Sequence, residues 1–228
     1  MDRYDKVEIE KFIISAADDK YRDFNSKLTK TAYLLNGVRI PILRKYAKGL
    51  AAMEGLDEFF DEKPPCYEFC MLKGMTLGHL KNIDDDKFFR LLTRFIQDID
   101  DWAVTDTACC AIHRKDEAYR QEAAKLALSG DVWQARWGYV AIMTNFFDRV
   151  DMILQVVKGR AAVGYYVDMA ISWLIQVLCV KNRGVATELL QADFVSPTVK
   201  KYAVRKIKDS LRISKEDKEY FCALAQNK

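Results

Sequence analysis

The stretch DDWAVTDTAC, residues 100–109, decides how the rest of the chain is read. Paired acids at its head suit the N-cap and first turn of a helix, where a carboxylate accepts backbone N–H groups that lack an intrahelical partner. Trp102 and Asp106 follow four residues apart. At 3.6 residues per turn they stand about 40° apart on one face. The same grammar, an acid or serine at the head of an apolar helical run, recurs along the chain. Starts fall near 66, 84, 101, 116, 131, 149, 165, 183, 197 and 215, with Asp116, Asp131, Asp148 and Ser196-Pro197 as signals. Ser214 with Asp217 three residues on makes a near capping box. Steps of about 14 to 18 residues give pairs at about 30 to 35, the range of helical repeat arrays. The spacing therefore predicts an all-α chain of stacked antiparallel helix pairs in one domain, 1–228.

Upstream, the pattern predicts helices over 7–17 and 21–34, with a break at Asn36-Gly37. Pro41 suits the first turn of a helix running to about Met53, and Pro64-Pro65 resets the chain before a helix from Cys66 to about Leu80. Gly and Pro are sparse, at 10 and 4 residues, and no segment shows sustained period-two alternation.

Composition narrows the chemistry. Half of the 228 residues are hydrophobic and 30% are charged, as in an ordinary globular protein. No apolar run is long enough to span a membrane, and MDRYDKVEIEKF lacks a hydrophobic signal region, so a cytoplasmic location is expected. The six cysteines (66, 70, 109, 110, 179 and 222) read as reduced thiols, without the paired spacing of a zinc site, and no metal is expected. Only two histidines are present, His79 and His113, which weighs against His-based triads and metal chemistry. Neither GxxxxGK[ST], GxGxxG nor GxSxG occurs. An enzyme here must work with carboxylate, aromatic and arginine groups. From Val195 to Lys228 nine Lys/Arg face four Asp/Glu, an excess of five, so against the chain total of +3 the remainder carries −2. That asymmetry permits nucleic acid on one surface, although basic helices are more often simply solvated.

An indole and a carboxylate stacked on one helix face suit a cationic ligand, the ring by its π face and Asp106 by its charge. A packed Trp102 beside a solvated Asp106 is the plainer alternative. Two more stretches share the helical grammar: Asp131-Val-Trp-Gln-Ala-Arg-Trp-Gly-Tyr-Val140 and Tyr165-Tyr-Val-Asp-Met-Ala-Ile-Ser-Trp173. With equivalent helices side by side, Trp102, Asp106, Arg136 and Trp173 are expected to share one face. Arg136 then suits phosphate, or else a structural ion pair, and Trp173 either lines the face or packs in the core.

These stretches, in this order, resemble the DNA alkylation repair family, the AlkD-like alkylpurine DNA glycosylases. The likeness runs from about Leu34 to Lys218 and begins with Leu35-Asn-Gly-Val-Arg-Ile-Pro-Ile-Leu-Arg44. It continues through Trp102 to Asp106, the Trp133/Arg136 helix and Met169-Ala-Ile-Ser-Trp173, and closes with residues 203–218. The resemblance implies a right-handed HEAT-like α-solenoid with a concave face. It places Asp106, Trp102 and Trp173 as catalytic residues and Arg136 as a contact to DNA phosphate. Arg44, Lys45, Lys181 and Arg183 are further expected DNA contacts, with Lys200, Lys201 and Arg205 as weaker ones. The implied reaction is hydrolysis of the N-glycosidic bond of cationic alkylpurines in duplex DNA, with no cofactor, by a monomer that needs no membrane or metal. Two departures stand out. The helix after Trp173 continues Leu-Ile-Gln-Val-Leu-Cys-Val, more apolar than the family pattern, and the nearest counterpart to a third cleft aromatic is Tyr33. The alternative is a non-catalytic helical module that binds distorted or branched nucleic acid, or a protein.

Overall fold

The computed structural model describes residues 3–225. Among these the chain is all helical, with 14 helices and no strand. In order they are α1 (Lys6–Ser15), α2 (Asp19–Asn25), α3 (Ile40–Leu50), α4 (Leu56–Asp61), α5 (Tyr67–His79), α6 (Asp85–Gln97) and α7 (Trp102–Cys109). There follow α8 (Glu117–Ala127), α9 (Val132–Asn145), α10 (Val150–Lys158), α11 (Tyr165–Lys181), α12 (Arg183–Gln191), α13 (Pro197–Asp209) and α14 (Lys215–Leu224). No described helix is long and apolar enough to cross a membrane. The chain forms two compact units, one ending at His113 and one beginning at Arg114.

From α5 onward every helix begins within one residue of its predicted start, and a side-chain cap marks seven of those ten starts. The side chains of Asp84, Asp101, Asp116, Asp131 and Ser196 each accept a backbone N–H from the first turn of their helix. Ser214 Oγ accepts from Asp217 N at 3.1 Å and donates to Asp217 Oδ2 at 3.0 Å, so the near capping box closes on the hydroxyl. Asp148 is an exception. The N-cap of α10 is Arg149, without a side-chain cap bond.

The N-terminal third departs further from expectation. The helix predicted over 21–34 stops at Asn25, and residues 29–39 run without helix to α3. Their polar groups bond to α5 and to the head of α7 instead. Helix α4 was not anticipated, since six residues are too few to display a period.

In the first unit α5 is the centre. It packs against α3 and α7, with α1 and α6 also on it and α4 against α6. Every residue of α5 from Tyr67 to Leu77 is buried, as a helix enclosed on all sides requires. The outer α6 is instead amphipathic, burying Phe88, Leu91, Leu92, Phe95 and Ile96 on one stripe. In the second unit α9, α11 and α13 pack side by side in a row. Helix α8 lies on α9, α12 on α11, and α14 on α13 and α12. Each of these units is compatible with a helical repeat. Gly138 shows how closely α8 and α9 approach: a Cβ there would meet Ala127 N at 2.1 Å and Ala123 O at 2.6 Å. All six cysteines are free thiols, with Cys66, Cys70, Cys109 and Cys179 buried.

Candidate functional site

Helix α7 carries Trp102 and Asp106, and both are half-buried, so neither belongs to the core. The inward face of the same helix supplies Val104, Thr105, Ala108 and Cys109. Close approach to α5 holds it there, since a Cβ on Gly74 would lie 2.5 Å from Ala108 Cβ and 2.5 Å from Phe95 Cζ.

The head of α7 is tied to the segment that the sequence reading had made helical. Asp101 is fully buried; it accepts from Ala103 N at 2.9 Å, Lys30 N at 3.2 Å and the Tyr67 hydroxyl at 3.3 Å. Asp100 accepts from Thr31 Oγ1 at 2.8 Å and Ala32 N at 2.6 Å. The Trp102 indole N–H donates to the Leu28 carbonyl at 3.2 Å, and the Tyr33 hydroxyl donates to the Asp98 carbonyl at 3.0 Å. Residues 28–33 therefore act as a strap over the corner between α6 and α7, and they fix the edge of the indole. Burial pushes the Asp101 carboxyl above the usual aspartate range, against the backbone donors that favour its charge. Tyr33, only the nearest counterpart to a third cleft aromatic, bonds at this corner, and burial raises its hydroxyl well above the ordinary tyrosine value.

Deeper in the first unit, two charges stand inside the apolar α5. Glu68, 1% exposed, accepts from the backbone N–H groups of Asn36, Gly37 and Val38 and from Asn36 Nδ2. Lys73 is fully buried and bonds Asp98 Oδ2 at 2.6 Å, the Phe60 carbonyl at 3.0 Å and the Glu62 carbonyl. A buried ion needs such complete pairing to persist.

In the second unit, Arg136 lies on α9 and Trp173 on α11. Trp173 is half-buried, unlike Trp137, which is fully enclosed. Arg136 is 5% exposed and its Nη1 donates to the Tyr166 carbonyl at 2.7 Å, fastening α9 to the first turn of α11. Trp133 meets the Tyr166 ring at 4.9 Å between centroids, and Arg160 pairs with Asp168 at 2.7 Å beneath.

A family model described as DNA alkylation repair enzyme matches residues 9–207. The chain belongs to that family. No curated protein matches, and no solved structure matches. Membership makes DNA repair the setting and DNA the partner to consider, which gives the exposed basic residues their interest. Arg44 and Lys45 are exposed on α3. Nearby His79 is held below the ordinary histidine range by burial and by the Lys48 and Arg44 cations, so this end of α5 is electropositive. Lys181 is exposed at the end of α11, 5.4 Å from the centre of the Phe147 ring. Arg183 is exposed but committed: it pairs with Asp217 and lies 4.2 Å from the Tyr220 ring centre, joining α12 to α14. Among the described residues no group of three or more His, Cys, Asp or Glu side chains is placed to hold a metal ion.

What the sequence reading missed is the polar support. Glu68 and Lys73 lie as charges inside the apolar run CYEFCMLKGM, and such a charge in a buried helix is the signal that could have found them.

Proposed function

We propose that this DNA alkylation repair enzyme is a glycosylase, hydrolysing the N-glycosidic bond of cationic alkylpurines such as 3-methyladenine and 7-methylguanine in duplex DNA. The observation that carries the reading is the α7 face. Trp102 and Asp106 are both held out of the core, with the indole edge anchored on the Leu28 carbonyl. A bare packing role for this pair would put the ring inside, as happens to Trp137. The packing of alternate helices on one another supports a reading of each unit as HEAT-like repeats with a right-handed stack.

The chemistry suits these residues. An alkylated purine already carries positive charge, so it departs as a neutral base with the glycosidic electron pair, and no acid need protonate it. Positive charge then develops on the sugar as an oxocarbenium ion. Asp106 stabilises that charge and orients the water that attacks C1′, whose proton passes to the carboxylate or to solvent. Trp102 contributes its π face to the cation. Within the second unit, the half-buried Trp173 indole is a DNA contact. Arg136, whose Nη1 donates to the Tyr166 carbonyl, is a contact to DNA phosphate within that unit. Arg44, Lys45 and Lys181 supply further backbone contacts, and Arg183 a weaker one because Asp217 already neutralises it. The test is chromatography of bases freed from methylated duplex DNA. We expect 3-methyladenine and 7-methylguanine in the supernatant, and retention of both on the DNA, with salt-dependent binding intact, would make the protein a binding module instead.

A further inference from the structure

Four aromatic rings cross the row of helices in the second unit. Trp133 of α9 meets Tyr166 of α11 at 4.9 Å between centroids, Tyr166 meets Tyr165 at 5.3 Å, and Tyr165 meets Tyr202 of α13 at 6.0 Å. Cores bury such clusters, but this one lies open to water. Tyr165 is 58% exposed and the other three rings are half-buried. Contiguous exposed apolar area of this kind marks an interaction surface.

The charge around the row selects the partner. Helix α13 carries five Lys/Arg against one Asp, and Lys201 and Arg205, both exposed, flank Tyr202. A partner must therefore bring flat π faces and regularly spaced negative charge together. Single-stranded nucleic acid does so, whereas in a duplex the base faces are stacked on one another. We propose that Trp133, Tyr166, Tyr165 and Tyr202 form a stacking platform for unpaired nucleotides of single-stranded DNA. Adjacent packed helices lie about 8–10 Å apart, so the row reaches about 20 Å from α9 to α13, enough for a few nucleotides. The choice of DNA rests on the repair reading above; the stacking does not.

The experiment measures binding of a short labelled oligothymidylate and of a blunt duplex by fluorescence anisotropy. Oligothymidylate contains no purine, so the outcome is independent of whether the protein excises bases. The parent is expected to bind oligothymidylate. Tyr202→Ala and Tyr165→Ala should each weaken that binding about 5- to 150-fold, leaving duplex affinity and the salt slope unchanged. Tyr202→Phe should bind as the parent does. Tyr202→Leu, which keeps the apolar contact but removes the ring, should behave like Tyr202→Ala and covers the case in which alanine unfolds the helix. Lys201→Ala should instead lower the salt slope for both DNAs. No binding of oligothymidylate by the parent would overturn the platform. So would leucine and alanine variants that bind it as tightly as the parent, or that lose duplex affinity in equal measure.

Discussion

The two units hold their candidate residues by different means. In the first, Trp102 and Asp106 ride on α7, a helix of only eight residues, and its head is fixed by polar contacts. Asp100 and Asp101 accept from the strap, the indole donates to Leu28, and Lys73 and Glu68 lie buried behind. In the second, Arg136 and Trp173 ride on helices of 14 and 17 residues, and packing holds them. The backbones of α8 and α9 approach so closely at Gly138 that no side chain fits. Short helices gain little from their own hydrogen bonds, so α7 depends on what is tied to it. Long helices in a row need only complementary surfaces. The first unit should therefore be sensitive to lost partners and to pH, and the second to added volume.

Lys73→Met gives the largest expected effect. The apolar stem remains, but Asp98 and two carbonyls lose their donor, and removing one partner of a buried pair costs about 3–5 kcal/mol. Asp98 keeps partial access to water, so the lower end applies, read as a fall in the denaturant midpoint. A loss under about 1 kcal/mol would mean that polar support is not what holds this unit.

The matching strike on the second unit is Gly138→Ala. One added methyl group must push α8 from α9, and overpacking of this kind costs about 1–3 kcal/mol. Denaturation by urea should show the loss, with no change between acid and neutral pH. A neutral or stabilising outcome would erase the contrast drawn here.

A smaller effect separates the units by pH. Asp101 is buried, and its carboxyl titrates above the ordinary aspartate value of about 3.9. In the window just above that value the folded chain holds more protons than the unfolded one. The contribution of this group to stability is therefore full below about 3.9 and is lost as pH rises through the raised folded value. Asp101→Asn removes this dependence. The melting temperature of the parent minus that of the variant should fall as pH is raised through the window. A difference that rises instead would show that the hydrogen bonds to Asp101 outweigh its burial.

Legibility in the sequence follows the same divide. Most starts from α6 to α14 could be read because a cap is a local signal: the carboxylate of Asp131 and the N–H groups of Trp133 and Gln134 lie within three residues. The strap could not. Thr31 bonds Asp100 across 69 positions and Trp102 reaches Leu28 across 74, so a helical pattern over 21–34 gave way to partners that no local period reveals. The choice among tryptophans lies between these extremes. Trp102, Trp133 and Trp173 are half-buried while Trp137 is enclosed; helical spacing singled out Trp102 and Trp173, and the family resemblance gave them their role. Arg136 was singled out by spacing as well, for phosphate or a structural ion pair, but its fastening to the Tyr166 carbonyl joins α9 to a helix 30 positions on and has no sequence signature.

The central claim is that Asp106 meets the developing charge on the sugar. Its most direct test is the single-turnover rate of 7-methylguanine release from methylated duplex DNA, parent against Asp106→Asn, with DNA affinity measured alongside. Asparagine keeps the shape and removes the charge, so release should fall about 10²- to 10³-fold, the scale of removing one electrostatic stabiliser, while affinity holds. Equal rates for the two proteins would contradict the account.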